Sequence, residues 1–145
     1  MNPNRQRYTT HSEEETEKIA ALVAPHLRPG DIITLDGDLG AGKSVFARGI
    51  ARQLGINERM PSPTFALVLE YPGEVLLNHV DLYRISSAEE FELLDITCRG
   101  SISLIEWAER APDLYQSARV QVHIERIDEH ARNITMEWSD AIPGN

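Results

Sequence analysis

The sequence has a single cysteine, Cys98, among its 145 residues. One cysteine excludes an internal disulfide, and because the histidines are scattered along the chain a structural zinc site is not expected. Long apolar runs are also missing, since nothing approaches the roughly 18 consecutive apolar residues that cross a membrane. The polar start, residues 1–8, lacks the apolar stretch of a secretory signal. These absences predict a cytoplasmic protein with no membrane partner.

Positive charge is scarce, with 14 Lys and Arg residues against 23 Asp and Glu residues and a formal net charge of −9. Such a chain repels a phosphate backbone, so tight binding of nucleic acid by this chain alone is not expected. Contact with RNA would then depend on a partner that supplies most of the interface. Lysine itself occurs only as Lys18 and Lys43, which draws attention to the surroundings of Lys43.

The length is that of one domain, and we expect a single domain over residues 1–145. Ser12 and Glu15 form a capping box, behind which apolar residues repeat at helical spacing until Pro29-Gly30. Further helices are predicted over 43–54 and over 108–115, the latter broken near Pro112, and a second capping box, Ser87 and Glu90, predicts a short acidic helix between them. Strands are predicted over 31–36, 64–71, 74–81, 101–106, 120–124 and 134–138. Only the ends, 1–8 and 140–145, are expected to be loose.

Strands that alternate with helices favour an α/β fold. Residues 31–36 form a short apolar run typical of a buried parallel strand. The last two strands alternate apolar and polar residues, as in a hairpin with one solvent-exposed face. The pattern predicts a three-layer sandwich with a mixed, mainly parallel central sheet and a C-terminal antiparallel hairpin.

Residues 37–44 read Gly-Asp-Leu-Gly-Ala-Gly-Lys-Ser, which fits the Walker A pattern in full. From average composition, such a match arises by chance in roughly half a percent of chains of this length. Glycines allow the tight turn, and the backbone N–H groups form an anion nest at the start of a helix. Lys43 would reach the β- and γ-phosphates, and Ser44 would offer its hydroxyl to Mg²⁺. The motif predicts a P-loop fold that binds ATP.

Two apolar strands end in an acid, Asp81 and Glu106. Ligands of open α/β sheets bind at the carboxyl ends of the strands, so both acids are expected near Ser44 if their strands run parallel to 31–36. One carboxylate would hold the metal ion and the other would orient a water molecule. The alternative for each acid is that it only caps its strand at the surface.

Other polar residues leave alternatives open. Thr64 either senses the γ-phosphate or simply begins a strand. His79 shares a strand face with Asp81 and is either a metal ligand or, as we favour, a hydrogen-bonded structural histidine. Trp107 is expected in the core, and the alternative is that it borders the nucleotide site and guards it. Arg132, in the final turn, is a solvated turn residue on this pattern alone.

Four motifs in this order resemble the TsaE family, and the resemblance spans about residues 12–135. Besides the Walker A run they are Ser62-Pro63-Thr64-Phe65 with Glu70-Tyr71, His79-Val80-Asp81-Leu82-Tyr83-Arg84, and Leu104-Ile105-Glu106-Trp107. The resemblance implies an ATPase that acts with the TsaB–TsaD transferase in tRNA threonylcarbamoyladenosine biosynthesis. The modified base is the adenosine 3′ of the anticodon in tRNAs that read codons beginning with A. This chain would contact the tRNA only indirectly, through the complex.

The resemblance also implies roles for single residues. Lys43, Asp81 and Glu106 would be catalytic, and Mg²⁺ would be held by Ser44, Asp81 and Glu106. The residues expected at the ATP are Gly37, Asp38, Leu39, Gly40, Ala41, Gly42, Lys43, Ser44, Val45, Thr64 and Trp107, with Glu13 and Arg132 beside the base. The chain departs from the family pattern in that Val45 replaces a second hydroxyl residue and Ala108 stands where proline is common.

Three other functions remain as alternatives. A small-molecule kinase of this size needs a lid with arginines, and no insert is long enough to form one. A GTP-binding switch would carry an Asn-Lys-x-Asp motif, which the sequence lacks. A nucleotide-binding module without turnover is not distinguished from an ATPase by sequence.

Overall fold

Strand β2 (Ile32–Asp36) lies in the middle of a seven-stranded sheet in the computed structural model, which describes residues 4–38, 40–57, 68–73, 75–82, 100–108 and 112–140. Its first four residues are buried, because both faces of this strand are covered. The other strands are β1 (Arg5–Thr10), β3 (Val68–Tyr71), β4 (Leu77–Asp81), β5 (Ile102–Glu106), β6 (Val120–Arg126) and β7 (Arg132–Trp138). Within these ranges the α-helices are α1 (Glu13–Val23), α2 (Lys43–Gln53) and α3 (Pro112–Gln116), and the helix predicted after Ser87 lies outside them.

The sheet has the order β1-β7-β6-β2-β5-β4-β3. β2 pairs in parallel with β5 and with β6, and β4 pairs in parallel with β5, whereas β7 and β3 run in the opposite direction. β6 and β7 form the antiparallel hairpin, with alternating buried and half-buried residues along β6. The predicted α/β fold with a mixed, mainly parallel sheet is therefore confirmed.

Successive residues of β2 point to opposite faces of the sheet and enter two separate cores. Ile33 and Leu35 pack in the larger core, which includes buried residues of α1 and α2. Ile32 packs in the smaller core with Leu114 of α3. Helices therefore cover both faces, as a three-layer sandwich requires. Within the described ranges no helix is long and apolar enough to cross a membrane.

The expectation that residues 1–8 are loose is wrong for the part that the structure describes. Arg5–Thr10 form β1, which pairs with the free edge of β7 and places Tyr8 opposite Ile134. Tyr8 is the only large apolar residue of this strand, so its periodicity is too weak to predict it. The partner strand, rather than local sequence, makes this segment a strand.

Prolines move two helix boundaries relative to the prediction. α1 ends at Val23 and a 3₁₀ turn, Ala24–His26, follows, because Pro25 cannot donate a backbone hydrogen bond. α3 begins at Pro112 instead of being broken there, since proline is well tolerated in the first turn of a helix. The predicted capping bond of α1 is present, with the Glu15 amide donating to Ser12 Oγ at 3.1 Å.

α1 and α2 pack closely at Gly49 of α2. A Cβ on Gly49 would lie 2.7 Å from Ala20 Cβ and 2.9 Å from the Glu17 carbonyl oxygen, both on α1. Ion pairs from Arg48 and Arg52 to Glu17 border this contact. The helices therefore depend on the absence of a side chain at this position.

We predict that Gly49→Ala destabilises the protein by about 1–2 kcal/mol, although alanine is the better helix former by about 1 kcal/mol. The reason is the clash with α1 backbone, which cannot move as a side chain can. Urea unfolding would measure it. Gly100→Ala is the matched control, because a Cβ there meets nothing within 4 Å. Equal or greater stability of Gly49→Ala would contradict the close packing.

Candidate functional site

Residues 37–44 connect the carboxyl end of β2 to the start of α2, and the structure describes all of them except Leu39. A Cβ on Gly37 would lie 2.6 Å from the carbonyl oxygen of Ile124 on β6, so only glycine lets the chain pass this strand. The loop begins directly above the middle of the parallel sheet, where α/β folds place their ligands.

The N-terminus of α2 is built to receive an anion. Gly42 caps the helix with a φ of 109°, a backbone conformation that glycine adopts easily. No side chain caps this end within the described residues, and no acidic residue lies in its first turn. The first backbone N–H groups and the positive end of the helix dipole are therefore left for a ligand.

Lys43, the first residue of α2, contacts the end of β5. Its Nζ lies 3.5 Å from Glu106 Oε1, and only 13% of the lysine side chain is exposed. The same ammonium lies 5.6 Å from the ring centroid of Trp107, within the range of a cation–π contact. The second oxygen of Glu106, Oε2, lies 2.9 Å from His79 Nε2 on β4. One carboxylate thus connects the loop lysine to a buried histidine.

Burial alone would raise the pKa of Glu106. The contact with His79 and the nearby Lys43 ammonium outweigh burial, so the pKa of Glu106 lies below its ordinary value. Glu106 is therefore a carboxylate at neutral pH, available as an oxygen donor. The interpretation of His79 as a hydrogen-bonded histidine is confirmed by this contact.

Asp81 ends β4 and lies opposite Glu106 in the parallel register of β4 and β5. Both acids therefore lie at the carboxyl ends of their strands, on the side of the sheet from which the loop departs. Asp81 is half-buried there. Ser44 is exposed in the first turn of α2, followed by the half-buried Val45. Thr64 and Leu39 lie outside the described residues, so their roles stay predictions.

Trp107 is not in the core as expected. It is 41% exposed and has a φ of 61°, in the left-handed region that non-glycine residues rarely adopt. It borders a cavity of about 230 Å³, which is lined by Leu35, Asp36, Gly37, Lys43, Trp107 and Tyr115. The alternative, that Trp107 guards the site, matches this position.

Arg132 and Glu13, which the resemblance assigns to the base, make different contacts. Arg132 is the first residue of β7 rather than a solvated turn residue, and its Nε donates to the Ala41 carbonyl at 2.9 Å. Its Nη2 donates to the Gly40 carbonyl at 3.4 Å. Glu13 Oε2, at the start of α1, lies 3.3 Å from Arg48 Nη2. Arg132 therefore touches the Walker loop, and Glu13 reaches α2.

Comparison with known proteins identifies the family of the chain. The profile of the family described as "Threonylcarbamoyl adenosine biosynthesis protein TsaE" matches residues 10–134. The chain belongs to the TsaE family. The TsaE protein of Bacillus subtilis (strain 168) is 41% identical over 131 residues, which cover 89% of this chain and 83% of the relative. That of Rickettsia conorii is 42% identical over 129 residues, 86% of this chain and 74% of the relative.

A solved structure extends the comparison to the fold. The crystal structure of Bacillus subtilis YdiB superposes with a TM-score of 0.74 at 34% identity, covering 94% of this chain and 86% of that one. The curated relatives are named as tRNA threonylcarbamoyladenosine biosynthesis proteins. Membership of the TsaE family thus places this chain in tRNA modification.

Three polar residues of this TsaE family member were not predicted from sequence. Asp36 Oδ2, directly before Gly37, accepts a hydrogen bond from Tyr115 Oη at 3.0 Å and lies 3.1 Å from His123 Nδ1. An acid that ends the strand before a Walker loop is a signal that could have indicated Asp36. Tyr115 and His123 give no such signal, because α3 and β6 bring them to Asp36 across the fold.

The hydrogen bond with Asp36 raises the pKa of His123 above its ordinary 6.5, more than partial burial lowers it. Because folding raises this pKa, the pair stabilises the fold below the unfolded pKa, and that contribution is lost as pH rises through the folded pKa. We predict that Asp36→Asn lowers the pKa of His123 in an NMR titration of the ring protons.

The control is Asp113→Asn, which removes an exposed carboxylate from α3 and should leave the titration of His123 unchanged. A titration curve of His123 that does not move in Asp36→Asn would show that this contact does not hold in solution.

Proposed function

We propose that this TsaE family member binds ATP with Mg²⁺ and hydrolyses it in support of threonylcarbamoylation of tRNA, together with the TsaB–TsaD complex. The modified base is the adenosine 3′ of the anticodon in tRNAs that read codons beginning with A. The observation that carries the proposal is the contact between Lys43 and Glu106 at the mouth of a Walker loop. A loop lysine beside a strand-terminal carboxylate is the arrangement that phosphoryl transfer needs.

The chain's own residues account for phosphate binding. Backbone N–H groups at the start of α2 would donate to the phosphate oxygens, and the Lys43 ammonium would neutralise the β- and γ-phosphates. Arg132 contributes indirectly, since it holds the Gly40 and Ala41 carbonyls on the outer side of the loop. With these carbonyls engaged, the loop amides are left to face the ligand.

The residues present fit a magnesium ion. Ser44, Asp81 and Glu106 provide the hard oxygen ligands that Mg²⁺ prefers, and Asp81 and Glu106 lie side by side in the sheet. In the part of the chain that is described, no cluster of three or more acidic, histidine or cysteine residues could hold a metal. An ion that shares its ligands with phosphates needs no such cluster. When bound, Mg²⁺ would neutralise charge on the transferring phosphoryl group.

Partner dependence is supported by the state of the nearby arginines. Fast phosphoryl transfer needs a further positive charge on the γ-phosphate, worth about 10³ or more in rate. Of the described arginines on α2, Arg48 is paired with Glu13 and Glu17, and Arg52 with Glu17, so neither is available. Arg84, which follows Asp81 closely in sequence, lies outside the described residues. The net charge of −9 also makes direct tRNA binding weak. We propose that the chain acts in the cytoplasm as a bound ATPase subunit that contacts tRNA through its partners.

We predict that Lys43→Ala weakens ATP binding by about 10- to 100-fold, the cost of one charge-assisted contact to phosphate. Calorimetry would measure the dissociation constant, and circular dichroism would verify the fold. Lys18→Ala is the matched control, because Lys18 is the only other lysine of the sequence and lies on α1, away from the loop in sequence. Unchanged affinity in a folded Lys43→Ala protein would remove the basis for an ATP site.

We further predict that the isolated chain hydrolyses ATP slowly and that TsaB–TsaD accelerates it, by up to about 10³-fold if a partner supplies the missing charge. Steady-state assays of the chain alone, with TsaB–TsaD, and with that pair plus tRNA would test this. Lys43→Ala in the same mixtures excludes a contaminating ATPase. Full activity alone would contradict partner dependence, and ATP binding without turnover in any mixture would identify a nucleotide-binding module.

A further inference from the structure

His79 is the buried partner of Glu106. The residue lies inside β4 with 1% exposure, and its Nε2 is 2.9 Å from Glu106 Oε2 on the neighbouring strand β5. The contact follows from the register, because His79 and Asp81 share one face of β4 and Asp81 lies opposite Glu106. With Oε2 held by His79, the other oxygen, Oε1, faces the Lys43 ammonium at 3.5 Å.

The donor in this contact is the histidine. An ionised carboxylate is only an acceptor, so His79 Nε2 must carry the proton of the hydrogen bond to Glu106 Oε2. This N–H fixes one oxygen of the carboxylate inside the fold.

We propose that His79 is a positioning residue for Glu106: its Nε2–H holds one carboxylate oxygen so that the other is presented to the Walker loop. The terminal torsion of a glutamate is broad, so nothing within the side chain itself sets the plane of the carboxylate. Without the histidine, both oxygens would be able to turn to Lys43, and the carboxylate would compete with phosphate for the ammonium. His79 itself is too buried to touch a nucleotide.

This inference rests on the proposed function, since Glu106 is taken to act on ATP and Mg²⁺. The test uses His79→Leu, which removes the donor at similar volume, and His79→Gln, which retains an N–H near the Nε2 position. The full-length proteins would be titrated with ATP in calorimetry, once with Mg²⁺ and once with EDTA, and the Mg²⁺ dependence of hydrolysis would be measured alongside. Glu106→Ala defines complete loss of the carboxylate.

In His79→Leu we expect the Mg²⁺-dependent gain in ATP affinity, and the hydrolysis rate, to fall by about 10- to 100-fold, as when other outer partners of metal ligands are removed. ATP affinity in EDTA should not weaken, and His79→Gln should recover part of the loss. Val23→Ala, which truncates a buried residue at the carboxyl end of α1, is the control for lost stability and should keep the Mg²⁺ dependence. Normal Mg²⁺ dependence in His79→Leu, equal loss with EDTA and with Mg²⁺, or no recovery in His79→Gln would overturn the inference.

A second measurement needs no variant and remains available if His79→Leu does not fold. The ¹⁵N chemical shifts of the imidazole in the wild-type protein show whether Nε2 carries a proton. We expect a proton on Nε2, donated to Glu106, and an Nε2 without a proton would overturn the inference. Failure of ATP binding in the wild type, or normal binding in Lys43→Ala, would instead reject the proposed function.

Discussion

Parallel pairing of β2 with β5 on one side and β6 on the other is the interaction on which the rest of the structure depends. Because parallel strands end at the same edge of a sheet, this pairing brings Leu35 opposite Glu106 and Asp36 opposite His123. The Walker loop leaves β2 one residue later and therefore rises between these two groups. A slip of one residue between β2 and β5 would turn Glu106 to the other face and separate it from Lys43.

The loop is held in place from its outer side by the C-terminal hairpin. Gly37 passes so close to β6 that a Cβ on it would lie 2.6 Å from the Ile124 carbonyl oxygen. Arg132, at the start of β7, donates to two loop carbonyls. Asp128 accepts hydrogen bonds from the His130 and Ala131 amides and so orders the turn between β6 and β7. The hairpin thus supports the loop geometry as well as completing the sheet.

Features encoded in local patterns could be predicted from the sequence, whereas those created by distant contacts could not. The Walker loop, the buried strand before it and the helix after it are contiguous, and the acids at positions 81 and 106 are recognisable as strand ends. β1 is a strand only because β7 offers it an edge. The exposure of Trp107 follows from a left-handed backbone conformation that hydrophobic periodicity does not reveal.

Charge around the loop explains why a cation belongs in the proposed reaction. Lys43 brings one positive charge to the mouth of the loop, while Asp36, Asp81 and Glu106 bring carboxylates. Asp36 accepts a hydrogen bond from Tyr115 and lies beside His123, and Glu106 lies beside Lys43 and accepts a hydrogen bond from His79. Among the described side chains, a polyanionic nucleotide would still meet more negative than positive groups here, and in a partly buried site such repulsion is weakly screened. Ser44, Asp81 and Glu106 would hold a divalent cation, whose charge would turn this repulsion into attraction, so the acids that oppose free nucleotide would select its magnesium complex.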